Sequence, residues 1–419
     1  MSEPILLADT IQRIKNRNSS LISPEQNGSR KLSLGLLSPP SSSSSRSSSS
    51  ASASVAFEST RYITVPTDLE SPAAFEFLGF TTERALHLYE RMREKEFEAK
   101  ASIDIISFAR QWMRHSCDSA LDSTDDWSLI MTNAGINSHI RDAFIAPEHQ
   151  KIRLIQPLTH WLTEILETNY NALVNMNERI LEQLDPTPKL RGGMLEPAQE
   201  VPEAPGGTLR LFKSVEFNRS VGCIIQDGSV DLGRLRSQSQ TDFCRLAGGL
   251  YFTHQRWVAI HYSRLIEDAC PLADRRTIEI HVPLEHFRAV NTWELNFENP
   301  EYKQLVFYSR RNERYPRELS KRRAGYGVIS GPVAHNHNLH YGKMKDWNEI
   351  TEKHLLQEAD GNQEGESYLK VAMQHVWIRE EVIEQLEEVL KDNKIFVTKP
   401  SRGFKLVPQP WNDASVKDE

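Results

Sequence analysis

Three imidazoles in six residues, His335, His337 and His340 of HNHNLH, form the densest group of potential metal donors in the chain. Histidine nitrogens suit zinc and nickel. No cysteine or close carboxylate completes a ligand set at that spacing, so no metal is assigned. The four cysteines, Cys117, Cys223, Cys244 and Cys270, stand far apart, and none has the CxxC spacing of a zinc ribbon or redox pair. Seven basic and two acidic residues crowd RRNERYPRELSKRR (310–323). Arg310-Arg311 and Lys321-Arg322-Arg323 resemble a two-part nuclear import signal, and such a patch could also meet phosphate or nucleic acid. The plainer alternative is a solvated loop.

The elements that would carry these groups divide the chain into unlike stretches. Residues 1–60 are expected to be disordered, because every residue from Ser41 to Ser50 except Arg46 is serine and such a segment buries too little apolar area to offset its chain entropy. Within it, Ile5, Leu6, Leu7, Ile11 and Ile14 suit one short amphipathic helix with no evident docking surface, and Ser38-Pro39 suits a proline-directed kinase. Residues 75–185 read as a helical domain. With Thr82 as N-cap, Ala85, Leu88, Tyr89 and Met92 recur at i, i+3, i+4, i+7. Ile105, Phe108, Ala109, Trp112 and Met113 repeat the pattern, as do Leu158, Trp161, Leu162, Ile165 and Leu166 after Pro157, which breaks or starts a helix. Stripes of this kind must be buried against one another in a small bundle. No catalytic constellation shows there; the surface of this domain is the expected site for a protein partner.

Five prolines and four glycines in residues 185–207 mark a linker, taken as 186–207. Beyond it the period changes. TLRLFKSV (208–215), GGLYFT (248–253), RTIEIHVPLEHF (276–287), GYGVISGPVA (325–334) and KIFVTK (394–399) read as strands, while FNRSVGCIIQDG (217–228), RWVAIHYSRLIEDA (256–269), YKQLVFYSRR (302–311) and REEVIEQLEEVL (379–390) read as helices. Strands and short helices without a βαβ rhythm imply α+β for residues 208–400, followed by a tail at 401–419.

Several stretches of this half resemble the ADP-ribosyltransferase superfamily, first its small uncharacterised bacterial domains and more distantly the poly(ADP-ribose) polymerase catalytic domain. They are SVDLGRLRSQSQTDFCRLAGGLYFT (229–253), the following helix with His261-Tyr262, YKQLVFYSRRNER (302–314) and YGVISGPVA (326–334). Their order and spacing cover about 207–400. The resemblance implies a split sheet with short helices, NAD as cofactor, and a site assembled from distant positions. By it, the first-strand His or Arg of the family falls at Lys213, the stacking tyrosines at Tyr251 and Tyr262, the backbone-reading glycines at Gly248 and Gly249, and the catalytic Glu at Gln374 in MQHVWI (373–378). Such enzymes stabilise a cationic ribose with a carboxylate, and glutamine is neutral. Lysine lacks the planar fork of arginine. The expectation is therefore an inactive or weakly active module that binds NAD, ADP-ribose or a protein. The alternatives are an active mono-ADP-ribosyltransferase, with Glu380 or Glu381 as a relocated carboxylate, and a nuclear, nucleic-acid-associated regulator.

Net charge of −7 disfavours a surface made wholly for nucleic acid. The N-terminus lacks the long apolar run of a secretory signal, and no window suits a membrane span. Few, unpaired cysteines fit a reducing compartment. The location expected is cytoplasmic, nuclear or both.

Overall fold

The computed structural model describes residues 3–37, 62–121, 126–185, 201–221, 223, 229–237, 241–245, 248–359, 369–391 and 394–398. The serine tract, most of the linker, the end of the 217–228 segment and the C-terminal tail lie outside the described residues.

The N-terminal segment departs from its expectation. Ile5, Leu6, Ile14, Leu21, Leu32 and Leu36 are buried in the main core. The expected amphipathic helix forms at Ala8–Arg17 and docks on the helix Met176–Leu184. The Leu7 amide donates to Asn177 Oδ1 at 3.1 Å, and Arg17 donates to the Gln183 carbonyl at 3.0 Å. Strand β1 (Ser29–Ser33) then pairs antiparallel with β2 (Tyr62–Pro66). Apolar residues spaced through residues 5–36 decide this, and the serine-rich composition that suggested disorder starts only after them.

Helices make up most of the described residues between 72 and 184. Ser71 caps the helix Pro72–Leu78, which ends at Gly79 with φ of 126°. The next helix, Thr82–Ala99, is capped by Thr81, whose side chain accepts from the Arg84 amide, one residue before the cap expected. Its stripe of Ala85, Leu88 and Met92 is buried as its periodicity requires. Pro157 stands at the start of the long helix Leu158–Val174, where its missing N–H costs nothing.

The second half is α+β with small sheets. Strand β3 (Thr208–Glu216) pairs along its whole length with β5 (Arg275–Pro283), and β11 (Ile395–Thr398) covers the other edge of β5. Strand β4 (Leu250–Phe252) begins a second sheet of order β4-β10-β7-β6, with β6 at Thr292–Glu294, β7 at Val328–Pro332 and β10 at Met373–Trp377. A short β8 (Gln357–Ala359) and β9 (Leu369–Val371) form a separate ribbon. The two main sheets are joined where Phe212 and Thr253 exchange backbone hydrogen bonds of 2.6 and 3.0 Å.

Two expectations need correction here. The stretch expected as one strand to residue 287 turns helical at Leu284–Ala289, directly after Pro283, whose fixed φ starts a helix well. The basic run is no solvated loop either: Arg317–Ala324 is a helix, and Arg310 ends the helix Pro300–Arg310 at 1% exposure. Arg311 donates to the Tyr341, Gly342 and Met344 carbonyls. The first pair of the two-part basic pattern is thus held inside the fold.

The helix Arg256–Ala269 lies at the seam between the two halves. Its Val258, Leu265, Ile266 and Ala269 belong to the same buried cluster as Trp161, Ile165 and Leu173 of the N-terminal helices. Two polar contacts cross the seam as well, the His149 Nε2–Asp268 hydrogen bond at 2.9 Å and the Arg275–Glu164 ion pair at 2.6 Å. Burying one large aliphatic side chain stabilises by about 1.5–3 kcal/mol, so several shared across a seam bind the halves tightly. A protease site inserted after Leu190 and then cut should therefore yield two fragments that co-elute in gel filtration and part only in denaturant. Separation in native buffer would show that the shared core does not hold them.

Candidate functional site

Between the two main sheets and the helical layer lies a cavity of about 1120 Å³. The sheet contributes Phe212 and Lys213 of β3, Tyr251 and Phe252 of β4, Thr253 beyond it, and Gln374 of β10. The seam helix contributes Val258, Ala259 and Tyr262. The opposite wall comes from the helical half, with Arg110, Arg114, His160, Trp161, Glu164 and Glu167. Lys213, Tyr251, Tyr262 and Gln374, far apart in sequence, therefore share one space.

The other expected site residues do not line it. Gly248 has φ of +64°, and a Cβ there would fall 2.3 Å from the Ser237 carbonyl oxygen. A Cβ on Gly249 would meet Val376, Cys244 and Tyr251 at 2.7–2.9 Å. These glycines let the chain run close behind β4, with the Ser237 amide donating to the Gly249 carbonyl at 2.9 Å. Glu380 and Glu381 open the helix Glu380–Leu390, where carboxylates favour the N-terminal dipole. Glu380 pairs with Arg236 and Glu381 with Arg379. Neither carboxylate lines the cavity; Glu380 meets its wall only through Arg236, and Glu381 does not meet it.

Gln374 has a role that its residue type did not reveal. It is 6% exposed. Its amide nitrogen donates to Asp242 Oδ2 at 2.6 Å and to the Pro332 carbonyl at 2.9 Å. Both contacts require a donor, which a glutamate would not supply. Asp242 also accepts from the Ala334 amide at 2.7 Å and pairs with Arg310 at 2.6 Å. Arg310 in turn donates to the carbonyls of Ile155 and Ala334 and to Asn338 Oδ1. Asp242 and Arg310 were both inside stretches singled out in the sequence, but their pairing across 68 residues had no local signal.

The charges of the wall are uneven. Among the described residues, nine Lys or Arg and four Asp or Glu line it. Most of the cations have partners. Arg275, 3% exposed, holds Glu164 at 2.6 Å and Ser214 Oγ at 3.4 Å. Burial alone would raise the Glu164 pKa; Arg275 and His160 outweigh it and keep the carboxyl well below the usual range. Arg110 pairs with Glu167 at 3.2 Å, and Arg219 donates to the carbonyls of Arg234 and Arg236. Lys213 differs: among the described residues no carboxylate or hydrogen-bond acceptor holds its ammonium. Burial, then Arg219 and Arg275, push its pKa down to about 7 against the opposing pull of Glu164. Burial keeps the phenols of Tyr251 and Tyr262 protonated far above their ordinary pKa. The Tyr251 hydroxyl is hydrogen-bonded to Thr241, and the Tyr262 ring packs 6.0 Å from Trp161.

The histidine group is dispersed by the fold. The Nε2 atoms of His340 and His354 lie 3.0 Å apart, while His337 accepts from the His340 amide. Burial, then the Arg310 charge, push His335 down to about 4. No group of three potential ligands converges among the described residues, and none of their helices is long and apolar enough to cross a membrane.

Two substitutions test this description. Gln374→Glu removes both donors and sets a carboxylate against Asp242, so it should destabilise by about 1–3 kcal/mol at pH 7. The new acid has a raised folded pKa, so the loss grows as pH rises through that value and shrinks at pH 4, where the protonated acid again donates. Urea unfolding at both pH values reads this; equal losses would exclude the Asp242 contact as the cause. For Lys213, the unfolded side chain titrates near 10.4 and the folded one about 7. The unfolded state then binds more protons between those values, so stability rises with pH across that window and the penalty is complete below it. Lys213→Met should therefore gain on wild type more at pH 6 than at pH 10. A gain independent of pH would show an unperturbed amine.

No family model, curated protein or solved structure matches the chain.

Proposed function

We propose that the cavity binds an anionic dinucleotide-like ligand of the NAD or ADP-ribose class, and that the chain is an ADP-ribosyltransferase-like module with little or no transferase activity. The observation that carries this reading is the cavity itself, about 1120 Å³ with an excess of cationic side chains. Ligand pockets for small molecules commonly span about 300–1,000 Å³, so the space suits a ligand at the large end of that range. Fixed cations suit phosphate oxygens, bidentately where the donor is arginine. Tyr251 and Tyr262 offer flat neutral rings in the same walls, which suit a heterocycle. The split between the sheets, with these residues around it, supports the resemblance drawn from the sequence.

Weak chemistry follows from the position of Gln374. Its carboxamide nitrogen is fully occupied by Asp242 and Pro332, and it brings no charge to a developing oxocarbenium. Loss of a well-placed electrostatic contact costs about 10²–10³ in rate. One observation favours a second reading: Glu164 lies in the wall, ionised. In an active transferase it would be the carboxylate facing the ribose, although Arg275 already neutralises much of its charge.

Calorimetry with NAD and ADP-ribose, run beside a nicotinamide-release assay, separates these readings. The expected result is binding that weakens as salt is raised, with no nicotinamide release. Release in wild type that disappears in Glu164→Gln would establish the active reading. Absence of binding by either compound at low salt would overturn both.

A further inference from the structure

We propose that Lys213 is a covalent ligand-binding residue whose amine forms a reversible imine with the aldehyde of an anionic ligand held in the cavity. On the reading of the site given above, on which the choice of ligand rests, that ligand is ADP-ribose in its open-chain form, whose terminal ribose carries a free aldehyde.

The geometry sets Lys213 apart from the other cations of the wall. Its side chain is half-buried and lines the cavity. It rises from β3, a strand paired with β5 through all nine of its residues, so its backbone is rigid. The two guanidiniums that act on its charge are both tied down: Arg275 by Glu164 and Ser214, Arg219 by the carbonyls of Arg234 and Arg236. Neither can turn away to relieve the repulsion. A lysine that is desolvated beside fixed cations and lacks a carboxylate partner carries a large neutral fraction, the state in which the amine attacks carbonyl carbon. With its pKa at about 7, that fraction exceeds a surface lysine's by roughly a thousandfold at neutral pH. An arginine in its place would grip phosphate better. It would have no nucleophile to offer.

The step is balanced without an oxidant or reductant. The amine lone pair adds to the aldehyde carbon, a C–N bond forms, and a proton passes from nitrogen to the former carbonyl oxygen. The carbinolamine then expels that oxygen as water, with its own hydrogen and the remaining N–H hydrogen, leaving C=N. Hydrolysis reverses both stages. The wall's surplus of cations, nine against four carboxylates among the described residues, selects for anionic aldehydes.

The full chain incubated with ADP-ribose and sodium cyanoborohydride at pH 7 traps the imine as a secondary amine, read by intact mass and peptide mapping. Pyridoxal 5′-phosphate is the second probe, an anionic aldehyde unrelated to NAD. The expected result is labelling of Lys213 at least about tenfold above any other lysine, its loss in Lys213→Arg and in heat-denatured protein, and its suppression by excess NAD, which has no free aldehyde. If ADP-ribose binds by calorimetry but neither probe labels Lys213 above the surface lysines, the imine is wrong and the ligand class stands. Selective labelling by pyridoxal phosphate alone, without ADP-ribose binding, upholds the imine and overturns the ADP-ribose assignment. A circular dichroism spectrum of Lys213→Arg matching wild type ensures that lost labelling is not lost structure.

Discussion

The ion pair of Arg310 and Asp242 is the constraint around which the site is built. Both side chains are almost wholly buried, at 1% and 2% exposure, and an isolated buried charge is costly enough that every hydrogen bond around it must be made. Arg310 meets this with Asp242, the carbonyls of Ile155 and Ala334, and Asn338. Asp242 meets it with Arg310, the Ala334 amide and Gln374. These partners come from the turn before the long helix of the N-terminal half, the segment after β7 with the helix Asn338–Lys343, the loop before β4, and β10. Satisfying two charges thus fixes how the helical layer stands over the two sheets, and that spacing is the cavity.

This network also explains the glutamine in β10. Considered as a substituted glutamate, Gln374 suggests lost catalysis. Considered as a partner of Asp242, it is the residue whose donor satisfies the second carboxylate oxygen, and a glutamate would set two carboxylates 2.6 Å apart. Position and role were separable only when its neighbour was known. The same holds for Glu164, which lies beside an apolar helix stripe and gains its meaning from Arg275, 111 residues away.

Electrostatic surplus distinguishes the cavity from the surrounding core. The paired arginines of its wall, Arg275 and Arg110 among them, spend much of their field on carboxylates and carbonyls. Lys213 differs from these and from the exposed Arg114 in being half-buried without a carboxylate, beside two immobilised cations. Such an arrangement is unfavourable to the empty protein and is relieved by an anion, or by loss of the lysine's proton. A cavity of this kind is a place where ligand binding and lysine chemistry are linked by the same charges.

Much of the local structure was legible in the chain. The apolar period of Ala85, Leu88 and Met92, the proline before Leu158, and the alternation of Ile278, Ile280 and Val282 each specify their element by nearest-neighbour physics. The meeting of Lys213, Tyr251, Tyr262 and Gln374 was anticipated only through resemblance, because nothing within reach of each residue encodes the others. Composition misjudged residues 3–37, whose few aliphatic side chains needed a surface supplied by the helix Met176–Leu184. It also took Arg310 for a surface cation. Sequence alone determined the strongly periodic helices, several strands of the second half and the sign of the local charge. Tertiary structure decided which charges are buried, which are paired and that the Lys213 amine is left facing the cavity, since burial and pairing depend on chain segments brought together from far apart.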